Sequence, residues 1–271
     1  MSDGAADFVS GDNGLVIGPR LTSRALARDA VDDAHRLLTA EPLRLARAAA
    51  QGPRRRVLVL AVEREAAPNL LAGARTEVLR SRHAVSFHQI GVGTAGKFEN
   101  LDRLLEAHPA AGHDWLLVID DDVVLPPGFL DRFLFLAERF GLRLAQPAHR
   151  ARSHAAWTVT RRRRASVARE TAYVEIGPVS AFHADTFSTL LPFPPLRAGW
   201  GLDAHWAAVA AQRGWPLGVI DATAIRHGLR QIAVAYDRGA AVAEGQTYLA
   251  GRPYLRAEEA NRTLRVHRSW R

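Results

Sequence analysis

Trp115-Leu116-Leu117-Val118-Ile119-Asp120-Asp121-Asp122 runs from an unbroken apolar stretch straight into three carboxylates. Five apolar residues with no turn residue among them, two of them β-branched, describe a strand buried on both faces, as in a parallel sheet. Open α/β sheets place their ligands at the carboxyl ends of such strands, where these acids stand. Three adjacent negative charges repel one another, so the arrangement calls for a cation or for exposure to solvent. A solvated acidic turn leading into a helix is the ordinary alternative. The flanking sequence has to separate the two.

Upstream, residues 56–62 (Arg-Val-Leu-Val-Leu-Ala-Val) and 84–90 (Ala-Val-Ser-Phe-His-Gln-Ile) read as two further strands. A helix over residues 68–80 separates them, and another, over 97–106, lies between the second strand and the acidic one. Strand and helix in alternation predict right-handed crossovers and a mostly parallel sheet flanked by helices, an α/β fold. Downstream, residues 129–140 predict a helix of unusually apolar body. Residues 142–147, 155–160 and 172–177 predict strands, 182–191 and 202–213 helices, and 216–221 a last strand. Residues 1–20 lack periodicity and read as a loose arm. Two helices follow, one from about Ser23 and one over residues 42–50, before Gln51-Gly52-Pro53 breaks the chain. The expected organisation is an arm and helical appendage over 1–52, a main domain over 53–228 and a helical extension over 229–271.

With 271 residues, 48% of them apolar, the chain can bury a full core. No stretch approaches the length of a membrane span, and Met1-Ser2-Asp3-Gly4 lacks the basic start of a secretory signal. The absence of Cys excludes disulfides, thiolate metal sites and a Cys nucleophile, and makes a cytoplasmic location the default expectation. The net charge of +8 comes almost wholly from Arg, Lys97 being the only lysine, which suits GC-rich coding. Apart from Arg54–Arg56 and Arg161–Arg164 the positive charges are scattered, so sequence-specific nucleic-acid binding is not expected. Such a surface equally suits phosphorylated substrates or peripheral contact with an anionic membrane. The Arg161–Arg164 run reads as a solvated loop or a mobile loop near phosphates.

Asp120, Asp121 and Asp122 form one half of a possible site for a hard cation, Mg²⁺ or Mn²⁺, held by carboxylates together with substrate phosphates. His227, after a later strand, is a candidate further ligand, against the ordinary reading of a surface histidine. Gly91-Val92-Gly93-Thr94-Ala95-Gly96-Lys97 has a phosphate-cradle look, but Phe98 stands where a P-loop needs Ser or Thr, so a glycine hinge fits as well. Asp203 follows the turn Gly199-Trp200-Gly201 and reads as either a helix-end acid or a general base. Glu175, between Val174 and Ile176, must be paired or face a cleft, and is a second candidate base. Trp157, Tyr173, Trp200 and Trp206 offer aromatic faces for sugar rings, or ordinary core packing.

Together these stretches resemble the GT-A type of glycosyltransferase, with Asp120-Asp121-Asp122 matching its DxD motif. Leu144–Ala148, Tyr173–Val179, Gly199–Asp203 and Gly218–Asp221 leading to His227 resemble the narrower DUF707 group of GT-A-like proteins. The resemblance covers about residues 56–228 and implies a nucleoside-diphosphate sugar as donor and a hydroxyl-bearing acceptor. It implies that Asp120 faces the nucleotide and Asp122 the metal, with His227 completing the metal or diphosphate site. Asp203 would be the base of an inverting enzyme, and Glu175 would face the acceptor. The first strand lacks the nucleobase motif of family 2 members, leaving Glu63 and Arg64 as the candidates there. Two other readings compete. One is a haloacid-dehalogenase-like phosphatase, whose D-x-D-x-[TV] motif residues 120–124 also fit but whose motif belongs on the first strand. The other is a binding domain without turnover.

Overall fold

The computed structural model describes residues 6–10, 16, 18–228 and 237–271. Two helices, α1 (Pro19–Leu38) and α2 (Glu41–Ala50), precede the first strand, β1 (Arg56–Glu63). Helix α3 (Leu71–Leu79) and strand β2 (Ala84–Gly91) follow, then α4 (Lys97–Ala107) and β3 (Trp115–Asp120). Strand β1 runs parallel to both β2 and β3, in a register that sets Val57 beside Trp115 and Val62 beside Asp120. Val57–Ala61 and Trp115–Ile119 are buried throughout. Their lack of polar alternation is what a strand covered by helices on both faces requires.

Beyond β3 come a two-residue strand, β4 (Val123–Val124), and α5 (Phe129–Arg139), which presses Phe129, Phe133 and Leu136 into the core. The remaining elements are β5 (Leu144–His149), β6 (Ala168–Thr171), β7 (Val179–His183), α6 (Phe187–Leu190), α7 (Leu202–Arg213), β8 (Leu217–His227), α8 (Arg238–Leu249), α9 (Ala257–Ala260) and β9 (Thr263–His267). The sheet order is β2-β1-β3-β7-β5-β8-β6-β9, with β4 paired to β8. Strands β1, β2, β3, β5 and β8 point one way, while β7 and β6 oppose them, so the α/β sheet is mixed with mostly parallel strands. No helix among the described residues is long and apolar enough to cross a membrane.

Several local expectations are corrected. Residues 155–160 are not a strand but lead into a 3₁₀ turn, because side chains satisfy their backbone: Glu175 accepts from the Trp157 N–H, and the Thr160 hydroxyl donates to the Trp157 carbonyl. The strand expected at residues 172–177 lies earlier, at Ala168–Thr171, and 172–177 is a loop. Phe182 belongs to strand β7, paired with Leu116, and a 3₁₀ turn over Ala184–Thr186 precedes the α-helix that begins at Phe187. The last expected strand continues past Asp221 to His227. The carboxyl-terminal extension is not helical throughout, since β9 pairs with β6 along the sheet edge. The expected loose arm lies partly outside the described residues (1–5, 11–15 and 17), but Phe8 is buried, its ring against Gly245.

Helix α1 begins a turn before Ser23, at Pro19, and packs by its polar side. Asp29 accepts from the backbone N–H groups of Ala151 (2.8 Å) and Arg152 (3.1 Å). Asp33 pairs with Arg162 at 2.7 Å and also with Arg150, and Asp32 pairs with Arg164 at 2.7 Å. The Arg161–Arg164 run is thus solvated only in part: Arg163 and Arg164 are exposed, Arg162 is buried, and α1 pairs with Arg162 and Arg164. Asp221, fully buried, holds the run from the other side: it accepts from the Arg163 N–H and the Ser166 hydroxyl, and pairs with buried Arg169 at 2.8 Å. Removing one partner of such a pair leaves an uncompensated buried charge. Arg169→Met is expected to lower the unfolding free energy in urea by about 3–5 kcal/mol. Adding Asp221→Asn should recover much of that loss, and a loss below about 1 kcal/mol in the single variant would disprove the pairing.

Candidate active site

The three acids part company where β3 ends at Asp120 and the chain turns at Asp121 and Asp122, each being taken by a different partner. Asp120 is fixed by its own N–H, which donates to the Pro178 carbonyl at 2.8 Å. Its carboxylate lies 2.6 Å from the Lys97 ammonium, which also donates to the Ile176 carbonyl. Gly177 permits this contact, since a Cβ there would stand 2.8 Å from an Asp120 oxygen and 3.0 Å from the lysine nitrogen. Asp121 turns inward and is buried, accepting from the Arg64 N–H at 2.7 Å, with the Arg64 guanidinium at 3.4 Å. The Asp121 carbonyl accepts from the Leu70 N–H, so this residue ties the end of β1 to the end of β3.

Asp122 is buried, with a carboxylate oxygen 3.2 Å from Nε2 of His227. The pairing of Val123 with His227 in the β4–β8 ladder sets this contact. Nδ1 of His227 lies 3.3 Å from the His154 carbonyl, a contact that suits a proton on Nδ1. Burial opposes protonation of His227, but the hydrogen bond and charge of Asp122, with Asp120 beyond, outweigh it and raise the imidazole above its ordinary range. Among the described residues no three His, Asp or Glu side chains already converge as a metal cluster. The donors that are present, the Asp122 carboxylate and His227 imidazole with Asp120 on the same rim, fit a divalent ion that draws its other ligands from substrate phosphates and water.

Asp203 opens α7 and lines the same cavity. Desolvation pushes its carboxyl up to about 6, against hydrogen bonds from the Tyr173 hydroxyl and the Ala204 and Ile176 N–H groups, and the Glu175 charge adds to the rise. The Gly199-Trp200-Gly201 turn that delivers it is gripped by Glu244 of α8, which accepts from the N–H groups of Arg197 (2.7 Å), Ala198 (3.0 Å) and Gly199 (3.2 Å). Gly201 sits at φ 91°, where a side chain is strained, and a Cβ would also press within 3.0 Å of Leu249.

Glu175 reaches the cavity but is engaged by the protein: one oxygen accepts from the Thr160 hydroxyl (2.6 Å) and the Trp157 N–H, and the other lies 3.4 Å from His149. Glu63 is not brought to the cavity; Asn69 and Gln89 donate to its carboxylate at the end of β1. Arg64, Lys97, Trp157, Tyr173 and Trp200 line the cavity, whereas Trp206 packs among Phe98, Phe182 and Phe193 in the core. The Gly91–Gly96 loop does reach the site: Gly93–Gly96 line it, and the Lys97 N–H donates to the Arg197 carbonyl. The cavity holds about 740 Å³, within the range of small-molecule sites. Sequence reasoning missed Phe8, Arg197, Gly177 and the α8 residues Arg238 and Glu244, all of which line it. Of these only Gly177, before a proline, carried a local signal.

No protein-family model matches the chain, and no curated protein matches it. Among solved structures it is similar to mannosyltransferase PcManGT from Pyrobaculum calidifontis in complex with GDP-Man and Mn²⁺, at 15% identity and a TM-score of 0.44, over 72% of this chain and 65% of that one. It is similar to glucosyl-3-phosphoglycerate synthase from Mycobacterium tuberculosis in complex with Mn²⁺, UDP and phosphoglyceric acid, at 14% identity and a TM-score of 0.47, over 76% of this chain and 80% of that one. It is also similar to GalNAc-T7 with UDP, GalNAc and Mn²⁺, at 10% identity and a TM-score of 0.45, over 67% of this chain and 45% of that one. The chain thus spans just under two thirds of the first of these and under half of the last, and the similarity is one of fold outline.

Proposed function

We propose that the chain is a metal-dependent glycosyltransferase that moves a sugar from a nucleoside-diphosphate donor to a hydroxyl-bearing acceptor with inversion. One observation carries the reading. Asp120, Asp122 and His227 share a cavity with the buried carboxyl of Asp203, which desolvation pushes up to about 6, and with the sole lysine. The motif resemblance over residues 56–228 supports it. The phosphatase reading fares worse, because its motif would sit on the third strand in chain order, beside an antiparallel neighbour.

In this reading Lys97 and Arg64 supply positive charge for the diphosphate, and Gly177 keeps side-chain bulk away from it. Mg²⁺ or Mn²⁺ held by Asp122 and His227 with Asp120 would stabilise the charge that develops on the leaving diphosphate. The acceptor oxygen bonds to the anomeric carbon as the carbon–diphosphate bond breaks. The diphosphate departs with that electron pair, and Asp203 takes the hydroxyl proton. Tyr173 orients Asp203 by donating to it. Glu175, already engaged, shapes the acceptor side and is not the base.

Asp122→Ala is expected to abolish the Mn²⁺-dependent thermal stabilisation given by UDP-, GDP-, dTDP- or CDP-sugars, read as the shift from the variant's own unliganded melting temperature, which falls because half-buried His227 loses its partner. Retained stabilisation with an unchanged metal requirement would remove Asp122 from the donor site. Asp203→Asn should keep donor binding and lose about 10²–10⁴-fold in turnover. Because the neutral form of Asp203 cannot accept a proton, wild-type kcat/KM should rise with pH through an apparent value near 6. A flat profile between about pH 5 and 7.5 would rule out Asp203 as the base.

A further inference from the structure

Helix α1 is amphipathic the wrong way round for a helix that ends its apolar face in a core. Its buried positions are Ala25, Asp29, Asp32 and Arg36, and its large apolar residues face out. Leu26, Val31, Leu37 and Leu38 are exposed along it, the last two by 70% and 88%, and Leu43 of α2 continues the surface at 66%. Single exposed leucines need no explanation, but large apolar residues spread over the whole outward side of two consecutive helices mark an interaction face.

The charges on these helices are sorted as well. The four acids of residues 19–50 are all withdrawn. Asp29 and Asp32 are buried, and half-buried Asp33 and Glu41 pair with Arg150, Arg162 and Arg36. Arg20, Arg24, Arg28, Arg44 and Arg47 are all exposed. The outward charge of the face is therefore wholly positive, among exposed leucines. A second copy of the chain is a poor occupant, because a two-fold contact would set these arginines against their own kind with no exposed acid on the face to pair them.

The geometry points to an anionic lipid bilayer as the partner of the α1–α2 face. The leucines enter the headgroup–acyl boundary, the arginines sit among lipid phosphates, and the inward acids fasten the helix pair to the Arg161–Arg164 run. This surface is separate from the cavity, since no residue of 19–50 lines it, and it stands whether or not the cavity transfers sugar.

Co-sedimentation of the full chain with extruded vesicles tests it. Vesicles of phosphatidylcholine alone are compared at physiological salt with vesicles in which about one lipid in four is phosphatidylglycerol. The chain should bind the anionic vesicles and not the neutral ones. Arginine near such a surface contributes roughly fivefold in partition, so Arg24→Glu with Arg28→Glu should weaken binding at least about 25-fold. Leu37→Ser with Leu38→Ser should weaken it at least about tenfold. All four sites are exposed, so the unfolding midpoints of the variants should match the wild type. Arg213→Glu with Arg252→Glu makes the same change in net charge on exposed residues at the ends of α7 and α8, which pack on the other core cluster from α2, and should leave binding within about twofold. The inference is overturned if that control loses as much as the α1 variants, if the α1 variants bind undiminished, or if the wild type ignores anionic vesicles. It is equally overturned if light scattering finds a dimer that the leucine variants dissociate.

Discussion

Three carboxylates on consecutive residues cannot share one environment, and the site follows from how their repulsion is resolved. Asp120 is matched by Lys97 at the start of α4, Asp121 by Arg64 at the end of β1, and Asp122 by His227 at the end of β8. Each neutralising group arrives from a different element. The triplet therefore fixes the relative positions of the β1 end, the α4 start and the β8 end, which are also the walls of the cavity. All three acids line that cavity, Asp120 half-buried and the turn residues Asp121 and Asp122 buried.

Polar groups do comparable work away from the site. Buried Asp221 and Arg169, and the inward acids of α1, hold a basic run that would otherwise repel itself. Glu244 satisfies three consecutive backbone N–H groups and so determines where α7, and with it Asp203, begins. Buried ionic groups of this kind contribute less to net stability than to selecting one arrangement, because each charge tolerates only the geometry that pairs it.

The βαβαβ half of the fold was legible because uninterrupted apolar strands and well-separated helices leave few alternatives. Val57–Ala61 and Trp115–Ile119 could hardly be anything but buried strands. The half after residue 150 was less legible, for a physical reason. There the backbone of residues 155–160 is satisfied by the side chains of Glu175 and Thr160, and β7 and β9 are short strands defined by partners distant in sequence. Asp120, Asp122, His227 and Asp203 were visible as unusual acids or histidines beside strand and turn signals. Glu63 was not separable from Arg64 by sequence alone, since one residue of strand register decides which faces the cavity. Phe8 and Glu244 reach the site from opposite ends of the chain, and no local pattern announces such an approach. The helical period of α1 was readable, but its inverted orientation was not, because the residues that claim its polar side lie more than a hundred positions away.

The pairing of Lys97 with Asp120 has one more consequence. A chain with a single lysine has a single ε-amine, and here that amine lies in the candidate donor cavity. Apart from the terminal amine, amine-directed chemistry has only this target, so acylation or reductive methylation of the folded protein becomes a one-residue report on the cavity. Its extent measures how tightly Asp120 holds the ammonium, and its suppression measures occupancy by whatever anion displaces solvent there.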